Sequence, residues 1–428
     1  MPKNKNLKVL VIGGGILEHS LVWKLKQSPK VAEIYAAPGN EGMRDIAECL
    51  NIPETDYFQI LKFAKEQKID LTLVGPYRLI ADGIADQFHK EKLRIFAPRA
   101  KQAEIGASRV VAKELMRHYS IPTSPYHVFE NIDGVMNFCE HAQFPLVLKI
   151  EGTALAGTVV CHSMEHVVSH LDKVMKQKVF GEAGERVIIE NFIHGDIISM
   201  TILIDRQTII PFPACQIVRE FVDGNRYPIK LGAFSPVNCA SPRMIHHIER
   251  EVIVPLVHAI NRQYHSYKGF LTVDMVITEK GARVLDFKIQ WSDILAQVLL
   301  NVYQGDFVDL ILHTLNGTLE NLNIQWSKHS VVGLVAAKEN QIKSAGGHVK
   351  LPIFPMDEED ENTKVFCGKT KRMRDTVWGT GERILGIVST GKTVNGTYKN
   401  MQESVAYNDL KEDIVFRIPQ ITNKNKNK

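Results

Sequence analysis

"KVLVIGGGILEHSLVWKLKQSPKVAEIYAAPGN", Lys8–Asn40, decides the fold. Val9 to Ile12 is a short, mostly β-branched apolar run, the pattern of a buried parallel strand. Ile16, Leu17, Leu21, Val22 and Leu25 recur at helical spacing. Between them stand Gly13, Gly14 and Gly15, so the stretch reads strand, glycine loop, helix. Such a loop aims backbone N–H groups at a helix N-terminus, where anions bind. A dinucleotide fingerprint needs a third glycine three residues after Gly15, and that position is Glu18. A nicotinamide site is therefore disfavoured. The motif alone leaves a phosphate site and a bare tight turn both open.

Outward from that stretch, residues 7 to about 105 repeat strand–helix units. "EIYAAPGN", "DLTLVGP" and "LRIFAP" are further strands, with helices expected near Glu41–Leu50 and Gln59–Gln67. Alternation of this kind predicts an α/β fold, a doubly wound parallel sheet with helices on both faces. Ligands then bind beyond the carboxyl ends of the strands, where Gly13–Gly15, Pro38–Asn40 and Gly75–Tyr77 lie.

A different pattern follows. "ASRVVAKELMRHYSIP" is a helix that stops before Pro122, and "PLVLKIEG" is a strand holding Lys149 among apolar residues. An unpaired ammonium there is costly, so Lys149 calls for a partner or a ligand. "RVIIENFIHGDIISMTILID" gives two strands around His194 and Gly195, and "GFLTVDMVITEKGARVLDFKIQ" gives a hairpin turning at Lys280–Gly281. "DFVDLILHTLNG" is a helix closed by glycine. From about residue 330, "SVVGLVAAK", "TKVFCG" and "RILGIVSTG" are strands, "TVNGTYKNMQESVAYND" is a helix, and "DEEDEN" at 357–362 is an acidic surface loop.

The chain has 428 residues, 44% of them hydrophobic and 23% charged, and so has room for roughly two to four domains. A dispersed net charge of +4 gives no footing for nucleic acid. Six scattered cysteines without a CxxC pair argue against structural zinc and against a disulfide framework, and point to reduced cytosolic thiols. No signal-peptide core and no run of 18 apolar residues occurs, so a cytoplasmic protein without membrane contact is expected, with small-molecule substrates, as a monomer or homodimer.

These segments, in this order and over nearly the whole length, resemble glycinamide ribonucleotide synthetase (phosphoribosylamine–glycine ligase), an ATP-grasp family of purine biosynthesis. The opening strand, loop and helix are similar to that family's. So are "SRVVAKELMRHYSIPTSPYHVF", "FPLVLKIEG", "FGEAGERVIIENFIHG", "LGAFSPV", "GFLTVDMVI" and "GERILGIVSTGKTV". The resemblance implies an N-terminal pre-ATP-grasp substrate domain at 1–105. It implies an ATP-grasp α+β core at 106–122 and 193–328, with a lid subdomain at 123–192. A small C-terminal α/β domain would span 329–422, and residues 423–428 would be a disordered tail.

The implied reaction phosphorylates glycine with ATP, and the amine of 5-phosphoribosylamine then displaces phosphate to form an amide. Lys113 and Lys149 match the family's two ATP lysines, Glu190, Asn191 and Phe192 its adenine hinge, and Asp196 a ribose contact. Gly13, Gly14, Gly15, Glu18, His19, Pro38, Gly39 and Asn40 match the loops that face the phosphosugar.

The departures cluster around the metal and substrates. "LAGTVV" replaces the family's glycine–lysine–glycine lid, Leu17 its arginine before Glu18, and Ile197 an acid. "EFVDGNRYPIKLGAF" stands for a glycine-rich loop. In the strand expected to hold Mg²⁺ or Mn²⁺, Asp286 replaces glutamate, Lys288 asparagine and Gln290 arginine. Period-two spacing puts these three on one face. An ammonium at Lys288 would repel a divalent cation and pair with Asp286. Three readings stay open: the family's own reaction, an ATP-dependent carboxylate–amine ligase with another acid and amine, or an inactive paralogue.

Overall fold

The computed structural model describes residues 6–152, 157–221, 228–336, 349–351, 362–374, 376–381 and 383–404. The expected tail at 423–428, residues 153–156 of the small-residue lid loop, residues 222–227 and most of the acidic run at 357–362 lie outside these.

The first five strands are β1 (Leu7–Gly13), β2 (Val31–Pro38), β3 (Glu48–Cys49), β4 (Leu71–Val74) and β5 (Ile95–Phe96), all parallel, in the order β3-β2-β1-β4-β5. This is the doubly wound sheet, and its order reverses at β1. Val9, Leu10, Val11 and Ile12 are fully buried because both faces are covered. The loops after β1, β2 and β4 meet at one edge, as the alternation requires.

One expectation fails here. Glu41–Leu50 is not a helix but a single 3-10 turn, Glu41–Met43, followed by β3. The backbone is used instead at the sheet edge: Glu48 and Cys49 pair with Tyr35 and Ala36, and the Leu50 N–H donates to Ala36 O. Gly42 also presses on the next layer, since a Cβ there would lie 2.6 Å from His19 Cε1.

Four antiparallel strands form a second sheet, β6 (Tyr126–Phe129), β7 (Leu146–Ile150), β8 (Thr158–Cys161) and β9 (Val187–Asn191), ordered β6-β9-β7-β8. It packs on helices Ile132–Glu140 and Met164–Leu171 around its own core of Val135, Leu148, Val159, Val167 and Ile189.

The third and largest sheet has nine strands. β10 (Asp196–Asp205), β11 (Ile209–Pro211), β12 (Cys215–Phe221), β13 (Pro228–Ser235), β14 (Lys268–Thr278) and β15 (Gly281–Lys288) are joined by β16 (Ser330–Ala336), β18 (Thr363–Cys367) and β21 (Leu385–Gly391). Strands beyond residue 329 therefore extend the same sheet through the β13–β16 pairing. A small sheet of β17 (Val349–Leu351), β19 (Thr370–Met373) and β20 (Thr376–Gly379) flanks it. β1 residues share one core with Ile198, Met200 and Val273, and another with Trp291, Ile294 and Val331. The first and third sheets are thus welded by common apolar packing, whereas the second keeps a separate core. No helix among the described residues is long and apolar enough to cross a membrane.

Candidate functional site

The helix Arg109–His118 starts at Ser108, whose hydroxyl accepts from the Val111 N–H at 3.0 Å. One turn in, Lys113 points into the seam between the second and third sheets and is 1% exposed. Lys149 reaches the same point from β7 and Glu190 from the end of β9. Both ammoniums lie on one oxygen: Lys113 Nζ is 3.1 Å and Lys149 Nζ 2.9 Å from Glu190 Oε1. These are ion pairs without an aligned hydrogen bond on that oxygen.

The aligned bonds go elsewhere. Lys113 Nζ donates to Thr123 Oγ1 (2.7 Å), which donates to Val284 O, and Lys149 Nζ donates to Leu285 O at 2.8 Å. The cluster carries two positive charges against one negative. Burial, then the neighbouring Lys149 ammonium, pulls the Lys113 pKa down to about 8. An anion entering the seam would relieve that repulsion.

The segment expected to be the adenine hinge is more committed than the sequence implied. The Asn191 N–H donates to Pro125 O and the Phe192 N–H to Pro145 O, each at 3.3 Å, while Asn191 O accepts from Ser124 Oγ at 2.7 Å. Asp196 opens β10, exposed, directly after Gly195, where a Cβ would lie 2.2 Å from Ile277 O.

Asp286 and Lys288 on β15, and Gln290 two residues beyond its end, do share one face: they are partly exposed while Phe287 and Ile289 are buried. The expected Lys288–Asp286 pair does not form. Lys288 Nζ bonds Asp274 Oδ2 on β14, whose other oxygen takes the Ser199 hydroxyl. Asp274 sits directly across the ladder from Asp286, next to a bulge, so the two carboxylates face the same way. Asp286 is served instead by Arg109, with Nε 3.6 Å from Oδ2. Arg109 is held in turn by Ile150 O (2.6 Å) and Gly157 O (3.4 Å). Gln290 Nε2 donates to Val74 O, across to the first sheet.

Asp274 and Arg109 are residues the sequence reading passed over. A lone acid inside the apolar run "GFLTVDMVI" was the available signal for Asp274. No group of three or more His, Cys, Asp or Glu side chains able to hold a metal occurs among the described residues. Both carboxylates of the β14–β15 pair are already neutralised by cations of the chain, so the residues present do not fit a divalent ion.

At the glycine loop, the opening ambiguity resolves in an unexpected way. Gly13 has φ +122°, and the Gly15 N–H donates to the carboxyl group of Glu18, three residues on. The helix N-terminus is thus capped by the chain's own acid. The carboxyl fills the space over three glycines: a Cβ at Gly75 would lie 1.6 Å from Glu18 Oε1, and Cβ atoms at Gly13 and Gly15 would also collide with it. Burial, reinforced by Asp293, raises the Glu18 pKa to about 8.

His19 is fully buried. Its Nδ1 accepts from the Cys367 N–H at 2.9 Å, and burial drives its pKa down to about 3, so the ring is neutral. After the cis Ala37–Pro38 bond, Gly39 adopts φ +70° and donates to Gly13 O. Asn40 Nδ2 donates to Gly14 O (3.1 Å) and to Cys367 O (2.9 Å). The loop residues proposed from the sequence therefore do come together, and two of them, His19 and Asn40, clasp the end of β18.

Comparison with known proteins agrees with this architecture. Residues 7–106 match the family model of the phosphoribosylglycinamide synthetase N domain, and residues 107–296 that of the phosphoribosylglycinamide synthetase ATP-grasp (A) domain. The phosphoribosylamine–glycine ligase of Halalkalibacterium halodurans is 34% identical, over 96% of this chain and 95% of its own length. That of Caldanaerobacter subterraneus subsp. tengcongensis is 31% identical, over 95% and 96%. The crystal structure of the Thermotoga maritima phosphoribosylamine–glycine ligase superposes with a TM-score of 0.77 at 20% identity, covering 96% of this chain and 98% of that one. The biotin carboxylase domain of Hydrogenobacter thermophilus 2-oxoglutarate carboxylase, described as a complex with MgADP, ADP and bicarbonate, gives 0.73 at 15% identity, covering 92% and 88%. The shared fold, the two matching domain models and the near-full-length identity place the chain in the phosphoribosylglycinamide synthetase (phosphoribosylamine–glycine ligase) family of ATP-grasp proteins.

Proposed function

We propose that this chain is an ATP-dependent carboxylate–amine ligase that joins glycine to 5-phosphoribosylamine. The observation that carries the reading is the buried Lys113–Lys149–Glu190 cluster, in a chain whose relatives bear that activity's name along almost their whole length. The relatives' name sets this acid and amine ahead of other pairs.

A glycine carboxylate oxygen attacks the γ-phosphorus of ATP, and the bond to ADP breaks. The amine nitrogen then attacks the acyl carbon, phosphate leaves, and the nitrogen gives up a proton. Negative charge on the phosphates is what the protein must stabilise. Lys113 and Lys149 supply two ammoniums in a low-dielectric seam, exchanging their shared carboxylate for phosphate oxygens. Glu190 to Phe192 and Asp196 form the adenosine side.

Gly13–Gly15, Glu18 and Pro38–Asn40 form the phosphosugar side. Glu18, protonated at neutral pH, does not repel a ribosyl phosphate and has an O–H to offer it. His19 and Asn40 act as positioning residues through Cys367.

The test is product formation. The purified chain, given ATP, glycine and phosphoribosylamine, should release ADP over many turnovers only when both co-substrates are present, and mass spectrometry should find the amide. ADP release indifferent to glycine or to the amine would refute the assignment.

A further inference from the structure

Four cations converge on the seam between the second and third sheets: Lys113, Lys149, Arg109 and Lys288. Three carboxylates answer them, Glu190, Asp274 and Asp286, and each is already paired. Four positive charges against three negative leave this cluster cationic. A divalent ion needs the reverse, carboxylate oxygens whose charge is not spent within the chain. To reach Asp274 and Asp286 it would have to evict Lys288 and Arg109. Lys288 is tethered at its backbone on β15 opposite Thr272, so its ammonium would stay close to the incoming dication. Arg109 is 7% exposed and anchored by two carbonyl oxygens, so it has nowhere to go.

We infer that the Lys288 ammonium is a built-in substitute for a divalent cation, and that this chain binds its nucleotide through lysine and arginine charges without metal. Lys288 is suited to the task. Its side chain is about a quarter exposed (23%), while Asp274 beneath it is nearly closed off, so the lysine keeps access to solvent and the carboxylate backs it. The Ser199 hydroxyl holds the other Asp274 oxygen and fixes the pair in place. A fixed ammonium donates to phosphate oxygens as a point charge, the role an exchangeable ion would fill. The inference rests on the nucleotide reading of the seam given above, and adds that the nucleotide's charge is met by the chain itself.

Titration calorimetry with ADP decides it, on the full chain, once in excess EDTA and once in excess Mg²⁺. The expected dissociation constants agree within about threefold, and Lys288→Asn weakens binding in EDTA by about tenfold or more while making it Mg²⁺-dependent. Mn²⁺ electron paramagnetic resonance on the nucleotide-free chain gives an independent readout, with no Mn²⁺ retained by the wild type. Overturning results are a tightening of wild-type ADP binding by about tenfold or more in Mg²⁺, or Mn²⁺ retained by the unsubstituted chain. Absence of ADP binding in both buffers would remove the nucleotide reading as well, whereas metal-dependent binding would remove only this inference. The wild-type measurements stand whether or not the variant folds.

Discussion

The lysine seam and the glycine loop both close on an internal carboxylate, but they handle its charge in opposite ways. Glu190 is 2% exposed and meets two ammoniums. Glu18 is 5% exposed and meets only backbone N–H, with Asp293 nearby, so its pKa climbs to about 8 and it keeps its proton. One pocket stores net charge and the other discards it. Burial alone does not dictate the state of a carboxyl; the sign of what is buried with it does.

The largest effect is expected from removing a seam cation. Lys149→Ala leaves Glu190 with Lys113 alone and orphans Leu285 O, and should abolish nucleotide binding and cost about 1–3 kcal/mol of stability by urea denaturation. A variant as stable as the parent would mean the seam is no buried ion cluster.

Next is the pH response of the glycine loop. The folded-state pKa of Glu18 lies above its unfolded value, so its stabilising contribution is full below about pH 4.5 and is lost as pH rises through about 8. Stability should fall by on the order of 2–4 kcal/mol between those limits, and Glu18→Gln, which keeps an acceptor for the Gly15 N–H, should flatten the curve. A profile identical in both proteins would show that the carboxyl is solvated.

Asn40→Ala tests the clasp on β18. Loss of the bonds to Gly14 O and Cys367 O should cost about 1–2 kcal/mol and raise amide exchange across Thr363–Cys367. The smallest effect belongs to pH at the seam. Lys113, with its pKa lowered to about 8, should hold phosphate less well as pH rises past that value, so ADP affinity should decline between about pH 7.5 and 9. An affinity flat across that range would assign the phosphate to other cations.

The fold was legible where one periodicity ruled. Val9–Ile12 and the glycines after it could be nothing but a buried strand and its turn, and Asp306–Gly317 carries both its cap and its stop. Glu41–Leu50 misled because apolar spacing that suits a helix also suits a short edge strand, and Ala36 O claimed the Leu50 N–H. In the site, the chemistry-bearing residues were visible but their partners were not. Lys288 was expected on Asp286, two residues away, and went to Asp274 on the neighbouring strand, because pairing across a ladder is a long-range fact. Glu18 was visible as a residue but not as the occupant of its own loop, since that depends on Gly75, 57 positions on, at the end of β4.

The clasp of His19 and Asn40 on Cys367 also sets which parts of the machine move. It rivets the first loop of the chain to β18, and shared apolar packing fuses the first and third sheets behind it. The second sheet has a core of its own and is moored to the rest by polar contacts, among them Lys149 to Leu285 O and Arg109 to Ile150 O. A displacement of that sheet against the other two would break polar contacts at the lysine seam and leave the apolar cores whole.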